Sequence, residues 1–444
     1  MVVWNLPAAC TPWISCLASP LHGRSAWRLP VLLQGVVLAH GRRTVASWLR
    51  AVGVGRDFAA FYYFLASLGQ RTEHLAGLLL RLLFGVIGVG DRLLFGLDDS
   101  PTKRYGRKVQ GAGLHHNPTP DPTDQQFLYG HLWVTLAWIV RHPSWGTIGL
   151  PLLALLYVRR KDLGQVPARY GWAFRTKLEL AARLVAWLAA WAGFLGKPLW
   201  VVVDGGYAKA PFLKPALAAG VVVVGRLRKD AALRDLPPSS PGRRRLPGRP
   251  RIYGHNRISL AKRAGQPRGW QTREAVLYGK RVRKTYKTFL ATWAPVGRVL
   301  RVVLVREAHG WLAFFCTDPT ASVAQILEAV ADRAALEQDF HDLKEVEGLG
   351  QQQVRTMWAN LGVFHLNLWV HTLIELWAWR QPKRRICDRT GSPWDKAARR
   401  PSHADRRKAL QRACVRQGIW RWSHGQPLSR KIQTLINSLI QLVS

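Results

Sequence analysis

The sequence predicts an α/β protein, in which an all-α N-terminal domain precedes a core of alternating strands and helices and a strand-rich insertion interrupts that core. Apolar residues recur at helical spacing through the first 90 residues, whereas strands and helices alternate from residue 91 onward. The run Leu199–Val203, LWVVV, is typical of a strand buried on both faces of a sheet. The 444 residues are enough for two to three domains.

These patterns divide the chain into four regions. They are a helical DNA-binding domain at 1–90, an α/β core at 91–225 and 318–380, a basic β-rich insertion at 226–317, and a basic tail with a helix at 381–444. The insertion has 19 Lys and Arg between Arg226 and Lys287 against three acids, Asp230, Asp235 and Glu274. Such an excess of positive charge predicts contact with a polyanion.

The N-terminal region is predicted to be helical. Its helices are expected at 25–40, 44–65 and 72–84. Gly53 and Gly55 break the second stretch, and helix, short Gly turn, helix is compatible with a helix-turn-helix in which Arg42, Arg43 and Arg56 contact phosphates. An ordinary small helical bundle fits the same pattern, and both interpretations stay open.

The core is predicted to alternate strands and helices around the LWVVV strand. Strands are expected at 92–97, 127–140, 148–158, 199–203 and 221–224, with helices at 174–194 and 211–219. The first strand ends at Asp98-Asp99, and the LWVVV strand ends at Asp204. Carboxylates that end adjacent strands of an α/β sheet lie where ligands bind.

The second half of the chain is predicted to contain a run of strands and then three helices. The strands are expected at 273–278, 281–293, 299–306 and 311–317, and the helices at 324–348, 357–379 and 428–443. The first of these helices carries Arg333, Glu337 and Lys344 in the spacing R-x3-E-x6-K, which places them on one narrow stripe. Taken alone, that stripe is typical of a surface salt-bridge ladder.

The charge of the chain favours nucleic acid as its partner. There are 65 Lys and Arg against 26 Asp and Glu, a net charge of +39. Nucleic acid is the first candidate for offsetting that charge, and an anionic membrane surface is the second. The apolar stretches singled out in the sequence fall short of ~20 uninterrupted apolar residues, so we expect no membrane span. Five scattered Cys argue against a zinc site and a disulfide framework, and fit a reducing cytoplasm.

Three carboxylate positions form the predicted catalytic set. Asp98 or Asp99, Asp204 and Glu337 would bring hard oxygen donors to one edge of the sheet, which suits Mg²⁺ or Mn²⁺. Two such ions would activate an attacking oxygen and stabilise the leaving oxygen of a phosphodiester. Each aspartate could instead be an ordinary turn residue at the end of a strand.

The set resembles the DDE transposases of bacterial insertion sequences, in the subgroup with the signature Y-x2-R-x3-E-x6-K. LDDSPTKRYG at 97–106 is similar to the first-aspartate block of that family, and VVVDGGYAK at 201–209 to the second. Arg333, Glu337 and Lys344 match the last three signature positions, whereas Val330 stands where the family has tyrosine. The resemblance runs from about residue 36 to 380. It implies a ribonuclease H-like core and two Mg²⁺ or Mn²⁺ ions per active site.

The resemblance also implies roles for individual residues. Asp98, Asp204 and Glu337 would be the catalytic metal ligands, with Asp99 as the alternative to Asp98 because strand neighbours point to opposite faces. The predicted DNA contacts are Arg333, Lys344, Lys103 and Arg104 at the cleft, Arg249 and Arg251 in the insertion, and Trp293. The GRPR run at 248–251 is either an AT-hook core or a phosphate-binding loop. Trp293, or Trp270, would stack on a displaced base or belong to the core.

The expected function is that of a DNA transposase. It would bind the inverted-repeat ends of its own insertion sequence, cleave DNA and join the freed 3′-hydroxyl to target DNA, as a homodimer in the prokaryotic cytoplasm, with no membrane and no small-molecule substrate. The alternatives are a ribonuclease H-like nuclease that acts on DNA junctions or damage without strand transfer, and a catalytically inactive DNA-binding descendant.

Overall fold

The computed structural model describes residues 6–117, 125–237, 251–387, 389, 394–396, 398–423, 426 and 428–443. Its α-helices are α1 (Thr11–Ala18), α2 (Gly23–Ala26), α3 (Arg28–Leu38), α4 (Val45–Ala51), α5 (Phe58–Gly69), α6 (Thr72–Ile87), α7 (Lys177–Ala192), α8 (Ala210–Ala218), α9 (Leu260–Gly265), α10 (Val323–Asp332), α11 (Ala334–Glu345), α12 (Met357–Ala378), α13 (Lys383–Ile386), α14 (His403–Trp422) and α15 (Arg430–Val443). Its strands are β1 (Leu93–Lys103), β2 (Gly113–His116), β3 (Phe127–His142), β4 (Gly146–Tyr157), β5 (Leu199–Val203), β6 (Val222–Leu227), β7 (Leu233–Arg234), β8 (Arg257–Ile258), β9 (Gln271–Leu277), β10 (Lys280–Trp293), β11 (Arg298–Glu307) and β12 (Gly310–Cys316).

One mixed sheet of 12 strands organises the molecule, which confirms the prediction of an α/β fold. The strand order is β2-β3-β1-β5-β6-β12-β11-β10-β7-β8, with β4 also paired to β3 and β9 to β10. β5 is parallel to both of its neighbours, β1 and β6, while β3 runs antiparallel to β1. The predicted insertion is rich in strands, but these strands continue the core sheet because β12 pairs with β6.

The central strands are buried on both faces, as the LWVVV run predicts. All five residues of β5 are buried. Val201 and Val203 belong to the apolar cluster on the face that carries α12, and Trp200 and Val202 to the cluster on the face that carries α10. This alternation follows from the two-residue period of a strand. The sheet around β5 therefore has helices on both faces.

β1 is longer than its sequence predicts. The turn-rich letters after residue 97 indicated that the strand would end at the aspartate pair, yet β1 continues to Lys103 because β3 goes on pairing with it as far as Gly130. The parallel pairing with β5 does stop at the expected place, at Leu97 opposite Val203. The aspartates thus lie within β1, at the point where its parallel neighbour ends.

The N-terminal helices pack closely against the long helix of the core. α5 and α12 meet at Gly69 and Gly362, where a Cβ on Gly362 would lie 1.9 Å from the Leu65 carbonyl oxygen. A Cβ on Gly69 would lie equally close to the Trp358 carbonyl, at 1.9 Å. Glycine at both positions is what allows the two backbones to approach. Helices occupy this region as predicted, and they share one apolar cluster with the core.

The predicted helix at 324–348 is two helices that meet at Arg333. α10 begins with a capping box formed by Ser322 and Gln325 and ends at Asp332. The Asp332 carboxylate is held by Arg141 at 2.8 Å and by Thr147 at 2.8 Å, which ties the end of α10 to β3 and β4. The chain then turns at Arg333 before α11 begins.

The tail is more structured than its basic composition predicts. The region at 381–444 was predicted to be a basic tail with a helix, but α14 packs against α12 and α3 and buries His403, Arg406 and Arg407. These cations are buried because Glu347 and Glu375, themselves buried, pair with them. The predicted terminal helix is present as α15, and Ile432, Leu435 and Leu439 are exposed on it.

Among the residues that the structure describes, one helix is long and apolar enough to cross a membrane by length and composition alone. It spans Lys177–Leu195, which is α7 with the short 3-10 turn that follows it. α7 packs against α8, α6 and strands β3 to β5 of the sheet. α7 buries one face there, with Leu180, Leu184 and Leu188 among its buried residues. A helix of the core of a soluble protein can pass the same test, so the result is weak evidence for a span.

Candidate active site

An open cleft of about 2010 Å³ lies where the parallel pairing of β1 and β5 stops. Its lining includes all four predicted carboxylates, Asp98, Asp99, Asp204 and Glu337. Lys344, Lys103 and Lys209 also lie on its wall. The cleft therefore combines acidic side chains with a basic rim.

The sheet register brings two of the carboxylates together. Leu97 and Val203 are the last partners of the parallel pair, and Asp98 and Asp204 directly follow them in the chain. Parallel strands end at the same edge, so both carboxylates leave the sheet at one level. The Asp204 carboxylate also accepts hydrogen bonds from the backbone N–H groups of Gly206, at 2.9 Å, and Tyr207, at 3.3 Å, which orient it.

Arg333 brings the third carboxylate to the same place. One nitrogen of its guanidinium donates to Asp98 at 2.6 Å and another donates to Glu337 at 2.7 Å. The side chain of Glu337 is 64% exposed, whereas that of Asp98 is 18% exposed, so Glu337 stands at the rim. The break between α10 and α11 keeps the Arg333–Glu337 pair intact and directs the guanidinium toward β1.

The electrostatics of the cleft suit a divalent cation. Burial raises the pKa of Asp98 to about 6, although the Arg333 guanidinium and the Asp99 N–H lower it, and the charges of Asp204 and Asp99 raise it further. Like charges at one site make each other harder to ionise. Mg²⁺ and Mn²⁺ prefer carboxylate oxygens, and their charge would offset this repulsion. The donor set of Asp98, Asp204 and Glu337 fits such an ion.

Asp99 has a separate set of partners. Lys177 at the start of α7 donates to it at 2.7 Å, and the Tyr207 hydroxyl donates to it at 2.8 Å. Burial raises the pKa of Tyr207 well above its ordinary value, and the Asp99 carboxylate raises it further. Both oxygens of Asp99 are thus hydrogen-bonded, and so are both oxygens of Asp98, by the Asp99 N–H and by Arg333. Asp98 is favoured as the ligand because Arg333 links it to Glu337 and the charge of Asp204 acts on it.

Lys177 and Tyr207 are site residues that the sequence reading missed. Tyr207 lies three residues after Asp204 in the VVVDGGYAK block, so its position was a usable signal. Lys177 comes from the crossover helix, 78 residues after Asp99, and its sequence position carries no sign of the contact.

Two lysines that were predicted to contact DNA lie in the cleft. Lys103 ends β1, and Lys344 lies in the last turn of α11. Burial lowers the pKa of Lys344, the Glu345 carboxylate raises it, and the nearby charge of Lys103 lowers it. The ammonium group of Lys103 therefore lies close enough to that of Lys344 to lower its pKa, as expected for two groups that bind one phosphate backbone.

Two predicted DNA contacts do not fit their positions. Arg104 is 6% exposed and donates to the carbonyl groups of Gly350, at 3.2 Å, and Gln352, at 2.6 Å. Arg104 belongs to the lining of the cleft, but its guanidinium is held by the 348–353 loop. Trp293 is 8% exposed and packs edge-on against Phe315 at 5.7 Å, so it is a core residue that has no face for a base.

The insertion residues have different outcomes. Arg249 lies outside the described residues. Arg251 is exposed, and its guanidinium contacts His255. Trp270 is half-buried, with Lys287 at 4.9 Å and Arg306 at 4.6 Å from its ring centre, so cations cover its face. DNA binding by Arg251 stays a prediction.

The family model described as DDE superfamily endonuclease matches residues 16–289. That range contains Asp98, Asp99 and Asp204, and it ends before Glu337. The search of curated proteins finds no match. Asp98, Asp99 and Asp204 thus lie within the family match. Glu337 lies outside it and is assigned to the site because Arg333 contacts both Glu337 and Asp98.

Proposed function

The chain belongs to the DDE superfamily of endonucleases, and from that premise we propose that it is a DNA transposase of an insertion sequence. It would bind the inverted-repeat ends of its own element, cut the DNA and transfer the freed strand to target DNA. The observation that carries this proposal is that Arg333 links Asp98 to Glu337, while the sheet register places Asp204 beside Asp98 at the same edge of the sheet. The Arg333, Glu337 and Lys344 spacing supports the YREK subgroup, and Val330 is a departure from it.

The metal ligands in this proposal are Asp98, Asp204 and Glu337. Two Mg²⁺ or Mn²⁺ ions held by them would supply Lewis acidity to the attacking and leaving oxygens of the phosphodiester. Asp99 would not bind an ion itself. It would position Asp98, its neighbour in the chain, because Lys177 and Tyr207 hold Asp99 in place. The mixed sheet with helices on both faces supports a ribonuclease H-like core.

The basic rim would position the DNA. Arg333 spans two carboxylates, and Lys344 and Lys103 lie on the same wall of the cleft. Cations beside a scissile phosphate orient the strand and stabilise the charge that develops on it. The net charge of +39 would attract both element ends and target DNA. A homodimer that holds the two ends together, in the prokaryotic cytoplasm, completes the proposal.

The test is a cleavage and joining assay. The substrate is a DNA fragment that carries the inverted repeats flanking the gene, with a supercoiled target plasmid and Mg²⁺. We expect wild type to cut at the repeats and join the fragment to the plasmid. Asp204→Asn and Glu337→Gln should each lower cutting by at least about a thousandfold and leave binding of the repeats intact, since charge stabilisation in the site is lost.

The matched control is Asp230→Asn, at an exposed acid that pairs with Arg228 outside the cleft. It should cut as wild type does. Cutting by Asp204→Asn or Glu337→Gln at the wild-type rate would overturn the assignment of the site. Cutting without any joining would favour a nuclease that acts on junctions or damage, which the endonuclease description of the family also accommodates.

A further inference from the structure

One wall of the cleft is formed by residues 349–355, which we call the wall segment. All seven of these residues line the cleft. Their side chains alternate, because Gln352 and Val354 are only 2% and 4% exposed, whereas Gln353 and Arg355 are exposed. This alternation is that of an extended chain. Gln353 and Arg355 are therefore the side chains that the wall segment presents to a ligand in the cleft.

The backbone of the wall segment is fixed at both ends. Near its start, the guanidinium of Arg104 donates to the carbonyl groups of Gly350, at 3.2 Å, and Gln352, at 2.6 Å. At its end, the backbone N–H of Gln110 donates to the Arg355 carbonyl at 2.9 Å. The positions of the two exposed side chains are thus set by anchors on either side of them.

A buried histidine joins the two anchors. The Arg104 side chain donates to Nδ1 of His131 at 3.3 Å, so Nε2 of the neutral ring carries the proton and donates to the Gln110 carbonyl at 2.9 Å. Burial lowers the pKa of His131 to about 3, and the charge of Arg104 lowers it as well, which keeps this ring neutral. The wall segment is therefore rigid before a ligand enters, and a preorganised surface loses little entropy on binding.

The two exposed side chains of the wall segment are available for a ligand. Among the residues that the structure describes, Gln353 and Arg355 form no side-chain hydrogen bond or ion pair. The two preceding glutamines are used within the protein. Gln351 accepts from the backbone N–H of Arg43 at 2.8 Å, and Gln352 donates within its own loop at 3.0 Å.

The wall segment adjoins the strand that carries the carboxylates. A Cβ on Gly350 would lie 3.6 Å from the Lys103 carbonyl oxygen. Lys103 is five residues after Asp98 on β1, which corresponds to roughly 17 Å at ~3.4 Å per residue. One base-pair step of DNA also rises ~3.4 Å. The wall segment thus lies about five base-pair steps from the carboxylates.

We propose that the wall segment recognises the base sequence beside the cut, with Arg355 bonded to a guanine and Gln353 to an adenine in the major groove. Each of these side chains can form two parallel hydrogen bonds with that base. The proposal rests on the proposed function, since it needs DNA in the cleft with its scissile phosphate at the carboxylates. Phosphate contacts by Lys103 and Lys344 would carry no sequence information. Arg104 is a positioning residue here, because it acts through the wall segment.

The test measures binding of labelled duplexes by fluorescence anisotropy in EDTA, where cleavage does not interfere. The probes are a duplex with the native repeat end, a scrambled duplex, and native duplexes changed at one base pair within about five positions of the cut. We expect wild type to lose about tenfold in affinity when the guanine or the adenine is replaced. In Arg355→Ala the guanine penalty should shrink to less than about twofold, with the other penalties kept, and Gln353→Ala should do the same for the adenine.

Arg355→Lys separates base recognition from a phosphate contact. Lysine keeps the charge but lacks the planar fork of arginine, so this variant should lose the guanine preference and retain the salt dependence of binding. The matched control is Arg298→Ala, at an exposed arginine of β11 outside the cleft lining, which should keep every wild-type penalty.

Two results would overturn the inference and leave the proposed function standing. One is that Arg355→Ala and Gln353→Ala, shown to be folded by thermal melting, keep every wild-type penalty. The other is that Arg355→Lys keeps the guanine preference in full. A wild-type protein that binds the native and scrambled duplexes equally would instead contradict both the inference and the proposed function.

Discussion

Asp98 and Asp99 are neighbours on β1, yet their carboxylates have different partners. Asp98 accepts a hydrogen bond from Arg333, and the charge of Asp204 raises its pKa. Asp99 instead accepts hydrogen bonds from Lys177 and Tyr207. Successive residues of a strand point to opposite sides, which explains the division. Asp99 is a positioning residue in this account, because it acts on the cleft through its neighbour.

Tyr207→Phe tests that role. The variant removes the hydroxyl that donates to Asp99 at 2.8 Å and leaves the ring in place. A hydrogen bond to a charged group contributes ~1.5–3 kcal/mol, so we expect the cleavage rate constant to fall roughly tenfold to a hundredfold. The KM for DNA should not change, because the variant removes no cation from the cleft and keeps the Tyr207 backbone carbonyl that accepts from the Lys209 N–H. Single-turnover cleavage over a range of DNA concentrations measures both quantities.

The control for this variant is Tyr286→Phe, at a buried tyrosine of β10 away from the cleft. It should cleave at the wild-type rate. A Tyr207→Phe protein that cleaves as fast as wild type would show that Asp99 does not position the site. An equal loss in both variants would attribute the effect to general stability.

Among the helices, the contact of α5 with α12 depends on the absence of a side chain at Gly362. A Cβ there would lie 1.9 Å from the Leu65 carbonyl oxygen, which belongs to backbone that cannot rotate away. We expect Gly362→Ala to lower the free energy of unfolding by ~1–3 kcal/mol, the usual cost of overpacking. Urea denaturation measures it. Gly193→Ala is the control, since its Cβ would have no heavy atom within 4 Å, and a loss as large in that variant would contradict the steric explanation.

α14 is joined to the core by a buried cluster of charges. His403 contacts Glu375 at 2.6 Å and Glu347 at 3.0 Å, and Arg406 pairs with Glu375 at 2.7 Å. Burial lowers the pKa of His403, but the two carboxylates outweigh it and raise this pKa to about 9. Burial raises the pKa of Glu375, but Arg406 and His403 outweigh it and lower this pKa to about 2.

These opposite pKa shifts predict a window of maximal stability. The contribution of His403 is complete below its ordinary pKa of 6.5 and is lost as the pH rises through about 9. The contribution of Glu375 is complete above its ordinary pKa of 4.5 and is lost as the pH falls toward about 2. We expect the melting temperature to change least with pH between these two ordinary values and to fall on both sides, as scanning calorimetry across the pH range would reveal.

Glu375→Gln gives a sharper form of the same prediction. It leaves buried Arg406 without its carboxylate, and breaking a buried pair from one side costs ~3–5 kcal/mol. Glu307→Gln, at a more exposed carboxylate that pairs with Lys284, is the control and should cost at most ~1 kcal/mol. Equal losses for the two variants in urea denaturation would mean that the cluster does not hold α14 to the core.

Across the whole molecule, local patterns predicted the elements that carry the cleft carboxylates better than they predicted the packing around those elements. The LWVVV run predicted β5, and with it the position of Asp204, since a run of that composition has few alternatives to a buried strand. The Arg333–Glu337 pairing also held, because an i,i+4 contact needs only one helical turn and survives the break between α10 and α11.

What the sequence did not predict depends on distant partners. Arg104 is buried by carbonyl groups 246 and 248 residues away, and His403 by Glu347, 56 residues away. β1 continues past Asp99 because β3 pairs with it, against the local turn signals. Long-range contacts thus decided which of the basic residues are buried.

The central claim is that Asp98, Asp204 and Glu337 form one metal-dependent DNA-cleaving site, and its most direct test is anomalous diffraction from crystals soaked in Mn²⁺. We expect two Mn²⁺ peaks ~3.5–4 Å apart in the acidic cleft, ligated by these three carboxylates, with Asp99 still bound to Lys177 and Tyr207. Mn²⁺ ligated by Asp99 in place of Asp98, or bound without Glu337, would contradict the account.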